Sequence, residues 1–220
     1  MGERGSGVLT WLNDLLWHPV GSVFGAPVSV VEVVGFVSGA ICVWLVGRQN
    51  PWNWPIGLIQ VVAYLFLFWQ AGLYADAGLQ VVYICLGLWG WWNWLRGRPE
   101  GTLRVRRTRP AEWVSLAALG AVGTVLIAQV LMSQTDSTVP WPDAVTTVLS
   151  LLATYGQGRK VLESWWLWIA ADVIYIPLYA YKGLLLTSLL YTVFLALCVV
   201  GLRRWRTDLA LLRPPLAVPA

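Results

Sequence analysis

The run WWLWIAADVIYIPLYAY, residues 165–181, is apolar and long enough to cross a bilayer, yet Asp172 stands inside it. Helical periodicity places Trp165, Trp168 and Asp172 at i, i+3 and i+7, on one face. A carboxylate at that depth is costly and faces a cavity or a partner helix. Indole faces stack on planar rings and attract cations, while a carboxylate accepts hydrogen bonds from hydroxyls or balances positive charge. On these residues alone two readings stand open. One is an interfacial tryptophan belt whose aspartate pairs with another helix; the other is a small-molecule site.

Outward from this run the chain keeps the same character. Hydrophobic residues make up 58% and charged residues 12%, with a mean hydropathy of +0.64, where a soluble domain holds about a quarter charged. Seven candidate spans follow one another: 28–47, 53–70, 76–95, 111–132, 142–157, 165–181 and 184–202. The fifth is the weakest, because its Thr, Ser and Gln suit a helix facing the inside of a bundle. Before them, GVLTWLNDLLWHPV reads as a short amphipathic helix lying in the interface. His18 is the single histidine and reads as structural. Cys42, Cys85 and Cys198 lie in apolar runs without Cys-x-x-Cys spacing and read as small buried hydrophobes, not as a disulfide framework or metal site.

The basic residues orient these spans. Of the fifteen Lys and Arg, thirteen fall in loops on one side, leaving Arg4 and Lys182 on the other. By the positive-inside rule the N-terminus is expected outside and the C-terminus in the cytoplasm. The segment RGRPEGTLRVRRTR then reads as a topology determinant, with no nucleic-acid partner expected.

Laid over itself with a shift of 111 residues, 32–95 matches 143–206 without a gap. Fifteen of the 64 positions are identical, including Gly47/Gly158, Arg48/Arg159, Trp54/Trp165, Tyr64/Tyr175, Gly90/Gly201 and Trp94/Trp205. Equivalent spans lie four apart, so both halves share one orientation and the fourth span restores it. The expected fold is an all-α integral membrane protein, seven transmembrane helices in a 3+1+3 parallel repeat of the SWEET kind. It divides the chain into an N-terminal interfacial segment (1–27), a three-helix repeat (28–95), a basic loop with a linking helix (96–139), a second repeat (140–206) and a tail (207–220).

The repeat sharpens the site. Trp54 is the counterpart of Trp165, but Trp168 and Asp172 correspond to Gly57 and Val61, so the stripe belongs to the second half alone. That asymmetry favours a ligand site between the halves, where repeat transporters bind substrate. Glu32, Gln60, Gln80, Asp143 and Gln157 are further polar residues inside the spans; each taken singly suits an interhelical hydrogen bond. Pro177 takes away the hydrogen bond its nitrogen would give to the Val173 carbonyl, which kinks the helix beside Asp172. The kink reads either as a hinge or as a static bend.

With these residues in hand, NWPIGLIQVVAYLFLFWQAGLYADAGLQVVY and ESWWLWIAADVIYIPLYAYKGLLLTSLLY closely resemble the Pnu family of bacterial vitamin transporters, particularly its PnuC branch. The resemblance covers roughly residues 28–205, and the family motif W-x-x-W-x-x-x-N/D matches Trp165, Trp168 and Asp172. It implies a SWEET-like fold, a homotrimer in the bacterial plasma (inner) membrane, and transport of nicotinamide riboside by facilitated diffusion. A cytoplasmic nicotinamide riboside kinase would trap the vitamin and lead it into NAD biosynthesis. Related branches move riboflavin or thiamine.

The candidate substrate-binding set is Trp165, Trp168 and Asp172 with Trp54, Gln60, Gln80, Tyr83 and Tyr175, and Pro177 is the candidate hinge. No cofactor or metal is expected. There is no GxxxxGK[ST] loop and no Ser/His/Asp or HExxH arrangement, so neither ATP-driven transport nor an enzyme is expected. A membrane scaffold or receptor would explain the spans but not a carboxylate at midspan.

Overall fold

The computed structural model describes residues 18–23, 26–70, 74–97, 103–135, 139–181 and 185–211. Among them are seven α-helices: α1 (Val30–Gly47), α2 (Asn53–Gln70), α3 (Tyr74–Arg96), α4 (Pro110–Gln134), α5 (Pro140–Gly158), α6 (Ser164–Tyr181) and α7 (Leu185–Leu211). The expected spans match these within two residues except at the end of the last helix. The first helix begins at Val30, because a two-stranded antiparallel hairpin, β1 (Pro19–Val23) and β2 (Ala26–Ser29), precedes it. The last helix runs nine residues past the expected end, because Trp205 and Leu209 still pack into the core beyond the apolar run. The expected interfacial helix does not reach Pro19, which opens β1; a proline lacks the helical donor and disfavours helix in the residue before it. The rest of that segment lies outside the described residues.

The helices close on one another. α1 touches α2, α2 touches α3, α3 touches α5, α5 touches α6, α6 touches α7 and α7 returns to α1, while α4 lies outside against α5. In this ring α2 stands opposite α6. The outward faces carry exposed Val34, Ile59, Trp69, Leu88, Val114, Leu119, Val122 and Leu126, a surface suited to lipid and not to water. Two described stretches, Pro110–Gln134 and Ser188–Leu211, are long and apolar enough to cross a membrane.

Contacts recur at the same displacement of 111 residues. Trp54 meets Trp94 edge-on with centroids 5.7 Å apart, and Trp165 meets Trp205 edge-on at 5.5 Å. The Trp94 indole donates to the Gln157 carbonyl (2.8 Å), as the Trp205 indole donates to the Val46 carbonyl (3.1 Å). Each pair needs a glycine: a Cβ on Gly90 would run into the Trp54 ring, and one on Gly201 into the Trp165 ring.

The turns that end α1 and α5 also correspond. Asn50 N–H bonds to the Leu45 carbonyl and Val161 N–H to the Gly156 carbonyl, both at 2.9 Å. Gln49 and Lys160 sit in the left-handed region with φ of 55° and 49°, the geometry of a Schellman cap. Neither is glycine, so each turn stores about 1–2 kcal/mol of strain. The two side chains meet: Lys160 Nζ donates to Gln49 Oε1 (3.1 Å), and Gln49 Nε2 donates to Asp208 (2.6 Å). Burial lowers the Lys160 pKa, an effect the nearby Asp208 carboxylate opposes.

The arginine-rich segment is more than an orienting charge. Its Leu103 and Val105 are buried in the same cluster as Trp94, Trp165 and Trp205. Arg106 forms a parallel bridge with Val161, its N–H bonding to the Lys160 carbonyl (3.0 Å) and its carbonyl accepting from Leu162 N–H (2.8 Å). Arg106 then grips Glu112 through two bonds of 2.7 and 2.9 Å, while Glu112 accepts from Arg109 N–H (3.0 Å) at the start of α4. Glu163 accepts from the Thr108 backbone and hydroxyl (2.8 and 2.9 Å). A strap of residues 103–108 therefore lies across the basic end of the bundle.

Candidate functional site

A cavity of about 360 Å³ opens inside the ring, lined by residues of α1, α2, α3, α5, α6 and α7 but none of α4. Toward the basic end its floor is the buried tryptophan cluster. Toward the other end stand tyrosines: Tyr191 lies 4.5 Å from Tyr175 and 5.2 Å from Tyr179, ring centroid to ring centroid. Every second-half residue in the wall has a first-half counterpart, 111 positions earlier, that also lines it. The cavity is thus shared between the halves.

Helix α6 supplies the distinctive face. Trp168, Asp172 and Tyr175 line the cavity one below another, as i, i+4 and i+7. Asp172 is 2% exposed; its Oδ2 is buried without a hydrogen-bond partner, and the Cys198 thiol of α7 lies within bonding reach of the carboxylate. The indole nitrogens of Trp168 and Trp54 are likewise buried without partners. Unmet donors and acceptors in a cavity wall are costly unless something occupies the space. Indoles and a carboxylate lining one cavity form a set suited to a planar heterocycle with hydroxyls or positive charge.

Of the sequence-predicted residues, Trp168, Asp172, Trp54, Gln60, Gln80, Tyr83 and Tyr175 come together in this wall. Trp165 does not. It is fully buried, edge-on to Trp205 and seated on Gly201, and belongs to the core. The physical reason is its neighbour: Trp168 stands one turn along the same face, where the first half has Gly57, so Trp54 reaches the cavity and Trp165 is screened from it. Gln60 also serves the architecture, its amide donating to the Gly35 carbonyl on α1 (3.5 Å). Pro177 lies within α6 with its side chain exposed, and nearby the Ser188 hydroxyl ties α7 to the Ile176 carbonyl (2.8 Å). Asp143 sits in the first turn of α5 and is not among the residues that line the cavity. The Glu32 side chain lies outside the described residues.

Sequence reasoning missed Tyr64, Ser150, Thr154, Tyr191, Phe194 and Cys198 as wall residues. The Tyr64/Tyr175 identity across the repeat was a usable signal; the rest follow only from how α5 and α7 turn. Of the three cysteines expected to be buried, Cys198 is buried in the core cluster beside the cavity, Cys42 lines the cavity half-buried and Cys85 is exposed.

A family model described as nicotinamide mononucleotide transporter matches residues 29–207. Over 201 residues the chain is 31% identical to the riboflavin/roseoflavin transporter RibM of Streptomyces davaonensis, covering 90% of this chain and 92% of that one. It is 28% identical over 219 residues to the nicotinamide riboside transporter PnuC of Escherichia coli, covering 88% and 91%. The crystal structure of the vitamin B3 transporter PnuC has a similar fold, with a TM-score of 0.65, 25% identity, and coverage of 94% of this chain and 88% of that one.

Proposed function

The chain belongs to the nicotinamide mononucleotide transporter family, and from that premise we propose that it carries a vitamin or vitamin precursor across the bacterial plasma membrane, nicotinamide riboside before others. One observation carries the reading: Trp168 and Asp172, whose indole nitrogen and carboxylate Oδ2 are buried without hydrogen-bond partners, both line a cavity shared between the two halves. The pyridinium ring would stack on the indole, and its charge or the ribose hydroxyls would meet the carboxylate. A scaffold has no need of such a cavity at mid-bundle.

The reciprocal tryptophan, glycine and turn contacts at a constant displacement support a 3+1+3 parallel repeat of the SWEET kind. Alternating access would then be a rocking of the halves about a fixed central site. The gathering of arginines at one end supports a cytoplasmic C-terminus and an outside N-terminus. We further propose a homotrimer, and facilitated diffusion with a cytoplasmic kinase consuming the imported riboside.

Riboflavin is the second reading. It is favoured by the 31% identity to a riboflavin transporter and by a tricyclic ring that would stack on Trp168 equally well. Proteoliposomes holding the purified protein, offered labelled nicotinamide riboside or labelled riboflavin, test both. Saturable uptake of the riboside, competed by unlabelled riboside, is the expected result; uptake of riboflavin alone selects the second reading, and uptake of neither defeats both.

A further inference from the structure

We propose that Gly57 sets the size of the ring this cavity admits: the planar part of the ligand lies between Trp168 and the bare backbone of α2 at Gly57. The inference rests on the reading that this cavity binds the transported vitamin, and it adds the residue that limits the ligand.

Gly57 is the counterpart of Trp168, and Val61 that of Asp172; all four line the cavity, on helices that stand opposite each other in the ring. One wall therefore carries an indole and a carboxylate, while its counterpart carries a hydrogen and an isopropyl group. Glycine is the poorest helix former after proline, so a glycine inside α2 calls for a reason. At the other two glycines of the cavity wall the reason is packing: a Cβ on Gly39 would meet the Phe194 ring at 2.7 Å, and one on Gly87 would meet Leu58 at 2.9 Å. At Gly57 that reason is missing. An added Cβ would find one heavy atom within 4 Å, the Cys42 sulfur at an ordinary 3.6 Å. The space in front of Gly57 is the cavity itself. What a side chain there would displace is ligand, and a wider fused ring would be displaced before a single one.

Calorimetric titration of the purified protein with nicotinamide riboside and with riboflavin, beside Gly57→Ala and Gly57→Trp, tests this. Gly57→Ala should melt no lower than wild type and weaken both vitamins, riboflavin by about tenfold or more and nicotinamide riboside by less, the usual cost of a methyl that does not fit. Gly57→Trp, which rebuilds the symmetric indole, should weaken both by about a hundredfold or more. If the wild type binds only one vitamin, the tryptophan variant decides alone. A folded Gly57→Trp that binds like wild type overturns the proposal, and so does a lowered melting temperature of Gly57→Ala, which would make Gly57 a packing glycine. Should the wild type bind neither vitamin, the transport reading falls and this inference with it; wild-type binding with unaffected variants removes this inference alone.

Discussion

Trp165 and Trp168 differ by three positions and carry the same side chain, yet they hold different jobs. Trp165 is 0% exposed and locked between Trp205 and Gly201; Trp168 is part-buried and faces the cavity. Trp165→Ala should cost about 3–5 kcal/mol of stability, as removal of a fully packed aromatic does, and show in thermal melting. Trp168→Ala, at a half-buried indole packed against that core, should lower melting less than Trp165→Ala and weaken vitamin binding by about 1–2 kcal/mol, measured by calorimetry. Asp172 admits a finer test. Asp172→Asn keeps shape and an accepting oxygen while removing the charge. If the carboxylate balances a pyridinium, the loss should be larger for nicotinamide riboside than for its uncharged dihydro form. If it only receives ribose hydroxyls, both should lose the same smaller amount, and the family motif's tolerance of Asn favours this second role. Loss of stability with unchanged binding would remove Asp172 from the site.

At the scale of elements, the basic end of the bundle is closed by parts that hold one another. Leu103 and Val105 sit 6% and 4% exposed among the tryptophans, held there by the Arg106 bridge to Val161. Val105→Asp would bury an unpaired carboxylate under that floor and should destabilise by about 2 kcal/mol or more. Exposed Arg107→Asp in the same segment should change melting by no more than about 0.5 kcal/mol. Equal effects of the two would mean that the strap is not a packed element. The reciprocal tryptophan seats make a matching prediction. Gly90→Ala and Gly201→Ala each force a ring to move, so each should destabilise by about 1–3 kcal/mol, and by similar amounts if the two seats are equivalent.

At the scale of the whole molecule, the ring of six helices with a central cavity needs only two arrangements of its halves to move a solute. The floor of tryptophans and the tyrosines above would then open alternately. If transport is the facilitated diffusion proposed above, purified protein in liposomes should equilibrate labelled nicotinamide riboside in both directions without a gradient. Accumulation above the outside concentration that a protonophore abolishes would overturn this, and Asp172 would become the first proton carrier to test.

The sequence by itself determined the seven helices, their limits apart from the end of the last, and the 111-residue displacement, because those rest on local periodicity and on Trp, Gly and Arg at fixed spacing. It also picked out Asp172 and Trp168, since a carboxylate beside indoles within an apolar run has few explanations. It placed Trp165 wrongly because a shared helical face is an angle of about 100° or more, wide enough to hold both a core residue and a wall residue. Which of them meets the cavity depends on what the neighbouring helices fill, and Gly201 and Trp205 lie some forty positions away in the chain. The strap went unread for the same reason: Leu103 and Val105 stand among arginines, and only the fold brings a buried cluster to meet them. Tertiary structure alone decided that Gly57 has room in front of it while Gly39, Gly87, Gly90 and Gly201 do not. A glycine's neighbours in space leave no mark on the sequence around it.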